Sequence, residues 1–382
     1  MRLVCVLAPI AGLGCTVNNP TFVLSTESAT LQAGTALDST AATTSAAAPT
    51  TSTASVSTDE SSATTTAVAT STGAAAATST GTSLGVTEGS TGDPPCEPDA
   101  PPNAVANEAV IAAAYADDYR AYVLGPVPGI PAGSDLGGMA IHHADGNTLV
   151  IAGDAERPEG ALYEIGVERG PCGHIIGFVG EATEVAMTPH VSDLLFVSGG
   201  LLFYTEWPKN HIAQLLPGAS MPDLRTDLGK LGITISVGGF GLVPPGIAGA
   251  GQFRMLTWDT GDWYHLDRSA NGKLFDLSNA VKTAKVEAKS GGLAYVPEGS
   301  PGFDAPHVML SQTEAGKLSV YQVDDAGDPL VETRVDFLSQ LPFVYTTYFE
   351  PVTGDLLVST IEATQDQVYI VQGFAPPPPL QP

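Results

Sequence analysis

Residues 238–264 read GGFGLVPPGIAGAGQFRMLTWDTGDWY, and residues 291–321 read GGLAYVPEGSPGFDAPHVMLSQTEAGKLSVY. Each opens on Gly-Gly, continues as a short apolar strand and reaches Val-Pro (Val243-Pro244, Val296-Pro297). A Gly/Pro loop and two further alternating strands follow. Self-similarity at a period of roughly 50 residues restricts a chain to repeat architectures, and strand-length alternation makes this one all-β. A Gly pair suits a strand crowded against other backbones, where a side chain would not fit.

The same grammar extends in both directions. A first unit opens at Gly137-Gly138, with strands GMAIHH, NTLVIAG, ALYEIGV and HIIGFVG parted by turns at Asp145-Gly146-Asn147 and Arg169-Gly170-Pro171. A second centres on DLLFVSGG (193–200) and continues LLFYTEW, HIAQLLPG and DLRTDLG. The units at Gly238 and Gly291 are third and fourth. The fifth, TTYFEP, DLLVSTI and QVYIVQGF, is one strand short. The segment at 108–129 holds one or two spare strands, with Tyr119, Tyr122 and Leu124 as candidate core residues. A ring whose first strand completes its last blade leaves no open edge. The expectation is a β-propeller of about five four-stranded blades, or six if 105–135 forms more than one strand. A β-sandwich is the competing fold.

Outside 105–375 the chain is of another kind. Met1-Arg2 and the apolar Leu3–Leu13 form a short export signal, too short to span a bilayer. It ends Gly12-Leu13-Gly14-Cys15, which resembles the lipobox of bacterial lipoproteins, although Gly12 stands where that motif has Leu. The resemblance implies lipidation of Cys15 and an anchor in the outer membrane or at the cell surface, because Thr16 is not an acidic retention residue. Residues 16–104, rich in Ser, Thr and Ala, cannot bury enough apolar surface to offset their ordering entropy and read as a disordered tether. Residues 376–382 read as a solvated Pro-rich tail. Cys96 and Cys172 then remain to pair in an oxidising compartment, with free thiols as the alternative.

The net charge is −26, and no Lys or Arg occurs between Arg2 and Arg120, which excludes a nucleic-acid partner. Standard catalytic and metal motifs are absent: no GxSxG, HExxH, Walker loop or CxxC occurs. The glycines at 246–251 reverse the dinucleotide fingerprint and join strand to strand. Asp259, Asp262, Asp324, Asp325 and Asp328 read as turn residues. His142-His143, taken as adjacent strand residues, would face opposite ways and so could not chelate one ion.

The candidates that remain are few. Glu206 ends a buried strand, a Trp207-Pro208 turn follows, and Asn210 starts the return. In six-bladed lactonase-type propellers, acids and Asn at strand ends hold calcium on the axis, so Glu206 and Asn210 are the candidate metal ligands. Trp207, Trp258 and Trp263 are candidate ligand-stacking residues, with inter-blade packing as the alternative.

From about Ala121 to Phe374 the chain resembles a group of secreted bacterial β-propeller proteins. The resemblance rests on Gly173-His174-Ile175 with Gly177-Phe178-Val179-Gly180, on Leu202-Phe203-Tyr204-Thr205 with Trp207-Pro208 and Asn210, and on Ser236-Val237-Gly238-Gly239 with Val243-Pro244 and Gly249-Ala250-Gly251. Trp263-Tyr264, Val320-Tyr321, Gly327-Asp328-Pro329 and Pro351-Val352-Thr353-Gly354-Asp355 complete it. It implies the propeller and no activity. Members of the group place Pro-Glu-Gly or Ala-Glu-Gly before the inner strand of the last two blades, where this chain has Lys289-Ser290-Gly291 and Tyr345-Thr346-Thr347. The Ser/Thr-rich leader looks like those of exported lipoproteins of predatory soil bacteria.

Two functions follow as expectations. The first is a monomeric, membrane-tethered, non-catalytic module that binds a protein or glycan and needs no cofactor. The second is a calcium-dependent hydrolase or lactonase. Function is expected where the repeats differ, at 206–210, 244–251 and 297–307.

Overall fold

The computed structural model describes residues 99–102, 108–234, 237–361 and 366–379. The export signal, Cys15, Cys96 and nearly all of the 16–104 segment lie outside the described residues.

The chain enters through β1 (Val110–Ile111) and β2 (Arg120–Gly125). Blade one follows as β3 (Met139–Ile141), β4 (Thr148–Gly153), β5 (Ala161–Arg169) and β6 (Ile175–Met187). Blade two is β7 (Val191–Phe196), β8 (Leu202–Glu206), β9 (His211–Leu215) and β10 (Leu224–Asp227). Blade three is β11 (Val237–Leu242), β12 (Phe253–Thr257), β13 (Asp262–Asn271) and β14 (Leu274–Lys285). Blade four is β15 (Ser290–Tyr295), β16 (His307–Gln312), β17 (Lys317–Gln322) and β18 (Val335–Ser339). Blade five has β19 (Val344–Phe349), β20 (Leu356–Thr360) and β21 (Val368–Gln372). All pairings are antiparallel, and the ring is a five-bladed propeller.

Both expected spare strands exist, and they do different jobs. β2 pairs with β21 and completes blade five. β1 pairs with β18 and gives blade four a fifth strand. Between them Tyr115 and Tyr119 enter an aromatic cluster with Phe303, Phe337 and Phe374; the Tyr115 and Phe303 rings stack at 5.1 Å.

The core is divided among the blade interfaces. Along β4, Leu149 and Ile151 pack toward blade five, while Val150 and Ala152 pack toward blade two. A strand buried on both faces needs an unbroken apolar run, and TLVIAG is one. The inner strands β3, β7, β11, β15 and β19 crowd the axis. A Cβ on Gly138 would lie 2.5 Å from the Leu194 amide, and one on Gly239 or Gly292 would lie 2.7 Å from the amide of Leu293 or Thr347. These glycines set the blade-to-blade spacing, as the Gly-Gly pattern implied.

The inner strands of blades two to five also carry a register irregularity at this level. Side-chain hydroxyls on the second strands satisfy the amides it frees. Thr205 Oγ1 accepts from the Asp193 amide at 2.9 Å, and Ser311 Oγ accepts from the Gly292 amide at 2.6 Å.

Candidate functional site

Inner strands end, and their first loops lie, on one face of the ring. The loops joining second to third strands, and the starts of the inner strands, lie on the other. The expected functional loops therefore fall on opposite faces: 206–210 on the second, 244–251 and 297–307 on the first.

On the second face a cavity of about 210 Å³ sits over the axis. Its walls come from all five blades: Glu156 from the β4–β5 loop, Ser192 on β7, Trp207 and Trp258 from the β8–β9 and β12–β13 loops, Gly291 on β15 and Tyr345 on β19. The Trp258 and Tyr345 rings meet edge to face at 6.3 Å. Burial raises the Glu156 pKa, and the carboxylate of Asp135 adds to the shift. Burial likewise holds the Tyr345 phenol protonated, reinforced by Glu156 and opposed by a hydrogen bond with Ser192. Among the described residues Glu156 has no ion-pair partner.

Next to Ser192 along β7, the buried Asp193 lines the larger cavity that opens on the opposite face. It stands where three other blades have the second Gly of their pair, and it uses the space those glycines leave. One carboxyl oxygen accepts from the Leu194 amide (3.0 Å) and the Thr346 hydroxyl (2.9 Å); the other accepts from the Phe240 amide (3.1 Å). The side chain thus ties blades two, three and five together. Desolvation pushes its pKa up to about 8, against the pull of the three donors, so the group is largely a neutral acid at pH 7.

At the opposite mouth, a cavity of about 500 Å³ is walled by the ends of the inner strands. Phe196, Leu242, Tyr295, Tyr348 and Phe349 line it, and Pro377, Pro378 and Pro379 lie against it. The Pro-rich tail runs along this mouth with Pro376, Pro378 and Pro379 exposed to solvent. His142 and His143 also reach it, and here the strand argument fails: β3 ends at Ile141, so both residues are in the turn. Their rings lie 4.5 Å apart and pack on Phe196. Burial, then His142, lowers the His143 pKa.

The residues singled out from sequence separate into three groups. Trp207 and Trp258 come together at the 210 Å³ cavity. Trp263 is buried between blades three and four, and its indole N–H donates to Asp328 at 2.9 Å. Asp328 also takes the Arg254 Nε–H at 2.7 Å, so it is a buried inter-blade anchor rather than a simple turn residue. Glu206 and Asn210 do not converge. Glu206 is buried within blade two, where Arg225 Nε donates at 2.8 and 3.0 Å and His211 Nδ1 lies at 3.1 Å. Asn210 turns the chain at φ 57° and donates to the Ile233 carbonyl. Among the described residues no group of three or more His, Cys, Asp or Glu side chains is placed to hold a metal ion.

Sequence reading missed Glu156, Tyr345 and Asp193. A signal existed: Ser192-Asp193 and Tyr345-Thr346 interrupt the Gly-Gly pattern that the other three blades keep. Cys172 is disulfide-bonded. Its expected partner, Cys96, lies outside the described residues, while Asp99 accepts from the Cys172 amide at 2.7 Å.

No protein-family model and no curated protein matches this chain. Solved structures share its general form. A glucose dehydrogenase is similar over 64% of this chain and 83% of its own, at 12% identity and a TM-score of 0.39. XC5397 from Xanthomonas campestris, a gluconolactonase, is similar over 73% and 99%, at 11% identity and 0.37. A structure from Bacteroides thetaiotaomicron VPI-5482 is similar over 62% of this chain, which spans 60% of that one, at 10% identity and 0.35. Likeness at this level transfers no activity.

Proposed function

We propose that this chain is a binding propeller, held at a bacterial surface by a lipid on Cys15 and a Ser/Thr-rich tether, that takes its ligand in the mouth formed by Glu156, Trp207, Trp258 and Tyr345. One observation carries the reading: all five blades contribute to a small aromatic cavity, and its carboxyl group has no ion-pair partner among the described residues. Two tryptophans at the rim of a ring are a surface for stacking on a sugar face or gripping a peptide side chain. The long Ser/Thr/Ala-rich leader, with a few acids and no Lys or Arg, suits a head projected from a membrane.

The second reading, a calcium-dependent hydrolase, draws on Asp193, a carboxylate on the axis. The residues fit calcium poorly. That ion takes six to eight oxygen ligands. Asp193 already accepts three hydrogen bonds, and Glu206 is held by Arg225 and His211.

Arrays of glycans and peptides probed with the full chain test the first reading. Binding should be seen and should fall at least about tenfold in the Trp207→Ala/Trp258→Ala variant, given roughly 0.5–1.5 kcal/mol for each aromatic contact beyond its area burial. Undiminished binding by the folded variant would move the site elsewhere. Stoichiometric calcium in a calorimetric titration would favour the hydrolase.

A further inference from the structure

The cavity that this reading uses has a more specific chemistry than a stacking platform. At about 210 Å³ it lies below the roughly 300–1,000 Å³ of sites that enclose drug-sized ligands, so it suits a compact headgroup. Three of its walls are aromatic, and they come from different blades: Trp207 from blade two, Trp258 from blade three and Tyr345 from blade five. A fourth is the carboxyl side chain of Glu156. No Lys, Arg or His lines it. The ammonium of Lys289 is 5.6 Å from the Trp258 ring centroid, but it is tied to Asp259 at 2.6 Å and is not part of the lining. The remaining lining residues are Ser192, whose hydroxyl is 2.9 Å from that of Thr205, and two glycines.

Aromatic rings from three blades around one small space can direct negative ring potential into it, and a carboxyl group in the same lining adds to it. That arrangement suits a cation with few hydrogen-bond donors to satisfy, because the rings that make three of its walls supply electrostatic attraction and van der Waals contact in place of acceptors. A strongly hydrated ammonium or metal ion would lose more on desolvation. The net charge of −26 steers cations toward the surface generally.

We infer that the mouth of Trp207, Trp258, Tyr345 and Glu156 is a cage for a quaternary ammonium headgroup, of the choline or trimethylated-amine class. This rests on the reading of the mouth as a binding site. The headgroup could belong to a free small molecule or to a membrane lipid, and the chemistry recognised is the same.

The test is calorimetric titration of the full chain with choline, with tetramethylammonium, and with 3,3-dimethylbutan-1-ol, which has the shape of choline without its charge. A flotation arm uses phosphatidylcholine vesicles. Choline and tetramethylammonium should bind, and the neutral alcohol should bind at least about tenfold more weakly. Trp258→Leu keeps apolar volume but removes the ring, and should erase the preference for the charged ligand. Glu156→Gln leaves the rings in place and should weaken choline about tenfold, with an unchanged thermal melt showing that the fold is intact. Choline binding without vesicle flotation points to a free ligand, and flotation to a lipid; either supports the cage. Equal affinity for choline and the neutral alcohol overturns it. So does the absence of ammonium binding by a chain whose array ligand is lost in Trp258→Leu, a result that leaves the binding reading standing. Array binding that ignores both tryptophans overturns both.

Discussion

At the residue scale, Asp193 decides how the axis is filled. Three blades present Gly at its level, and this one carboxyl side chain bonds to its own strand, to the adjacent β11 of blade three and to β19 of blade five. Its pKa is raised from 3.8 to about 8 by burial. The sign is that of an acid which the folded state keeps protonated while the unfolded chain ionises it. Stability should therefore fall as pH rises through that window, by roughly 1 kcal/mol per unit, and level off above pH 8. Asp193→Asn should be less stable than the native chain at pH 5, because the Phe240 N–H would face an amide donor, and should show a flatter profile. Denaturant titrations from pH 4 to 9 check this; parallel profiles for the two proteins would contradict it. Trp207 and Trp258 were visible from sequence because large aromatics beside turn residues stand out. Glu156 and Asp193 were not, since an acid in a loop or at a strand start looks the same whether it faces solvent or the axis.

At the element scale, the seam between blades five and one is clasped by charge. Arg169 at the end of β5 donates to Glu350 at 2.9 Å and to the carbonyls of Gly146 and Gly173. His174, just before β6, meets Asp355 at 2.6 Å, and Asp355 also accepts from the Ile175 amide. The hydrogen bond to Asp355 raises the His174 pKa, against the effect of burial. A raised histidine contributes stability that is complete below its unfolded value of 6.5 and lost as pH climbs through the folded value. His174→Gln should remove a component from the decline above pH 6.5 while leaving the part due to Asp193. Identical slopes for His174→Gln and native protein would refute the clasp. Gly173-His174-Ile175 and Gly354-Asp355 were both among the motifs carrying the family resemblance, yet nothing in their spacing showed that they touch, because they lie 181 residues apart.

At the scale of the whole molecule, the ring is closed by its beginning. β2 covers the β21 edge, and Tyr119 fills the join with Phe374 and Phe337 while its hydroxyl donates to the Pro301 carbonyl at 2.7 Å. Tyr119→Ala should cost roughly 3–5 kcal/mol, as for other large buried aromatics, and a chain lacking residues 108–125 should aggregate through its bare edge. Calorimetry and size-exclusion chromatography would show both; a monomeric, cooperatively melting truncation would contradict the closure. This architecture is legible in the sequence, because a repeat reports its own period and a missing strand in the last unit asks for one from the first. The convergence of loops on the axis was not, since it depends on which loops share a face. That convergence underlies the central claim, that the propeller holds a ligand and does not turn one over. The most direct check is the rate of glucono-δ-lactone hydrolysis by the full chain, with and without calcium, beside Asp193→Asn. The account predicts the spontaneous rate in every case; calcium-dependent turnover that disappears in Asp193→Asn would contradict it.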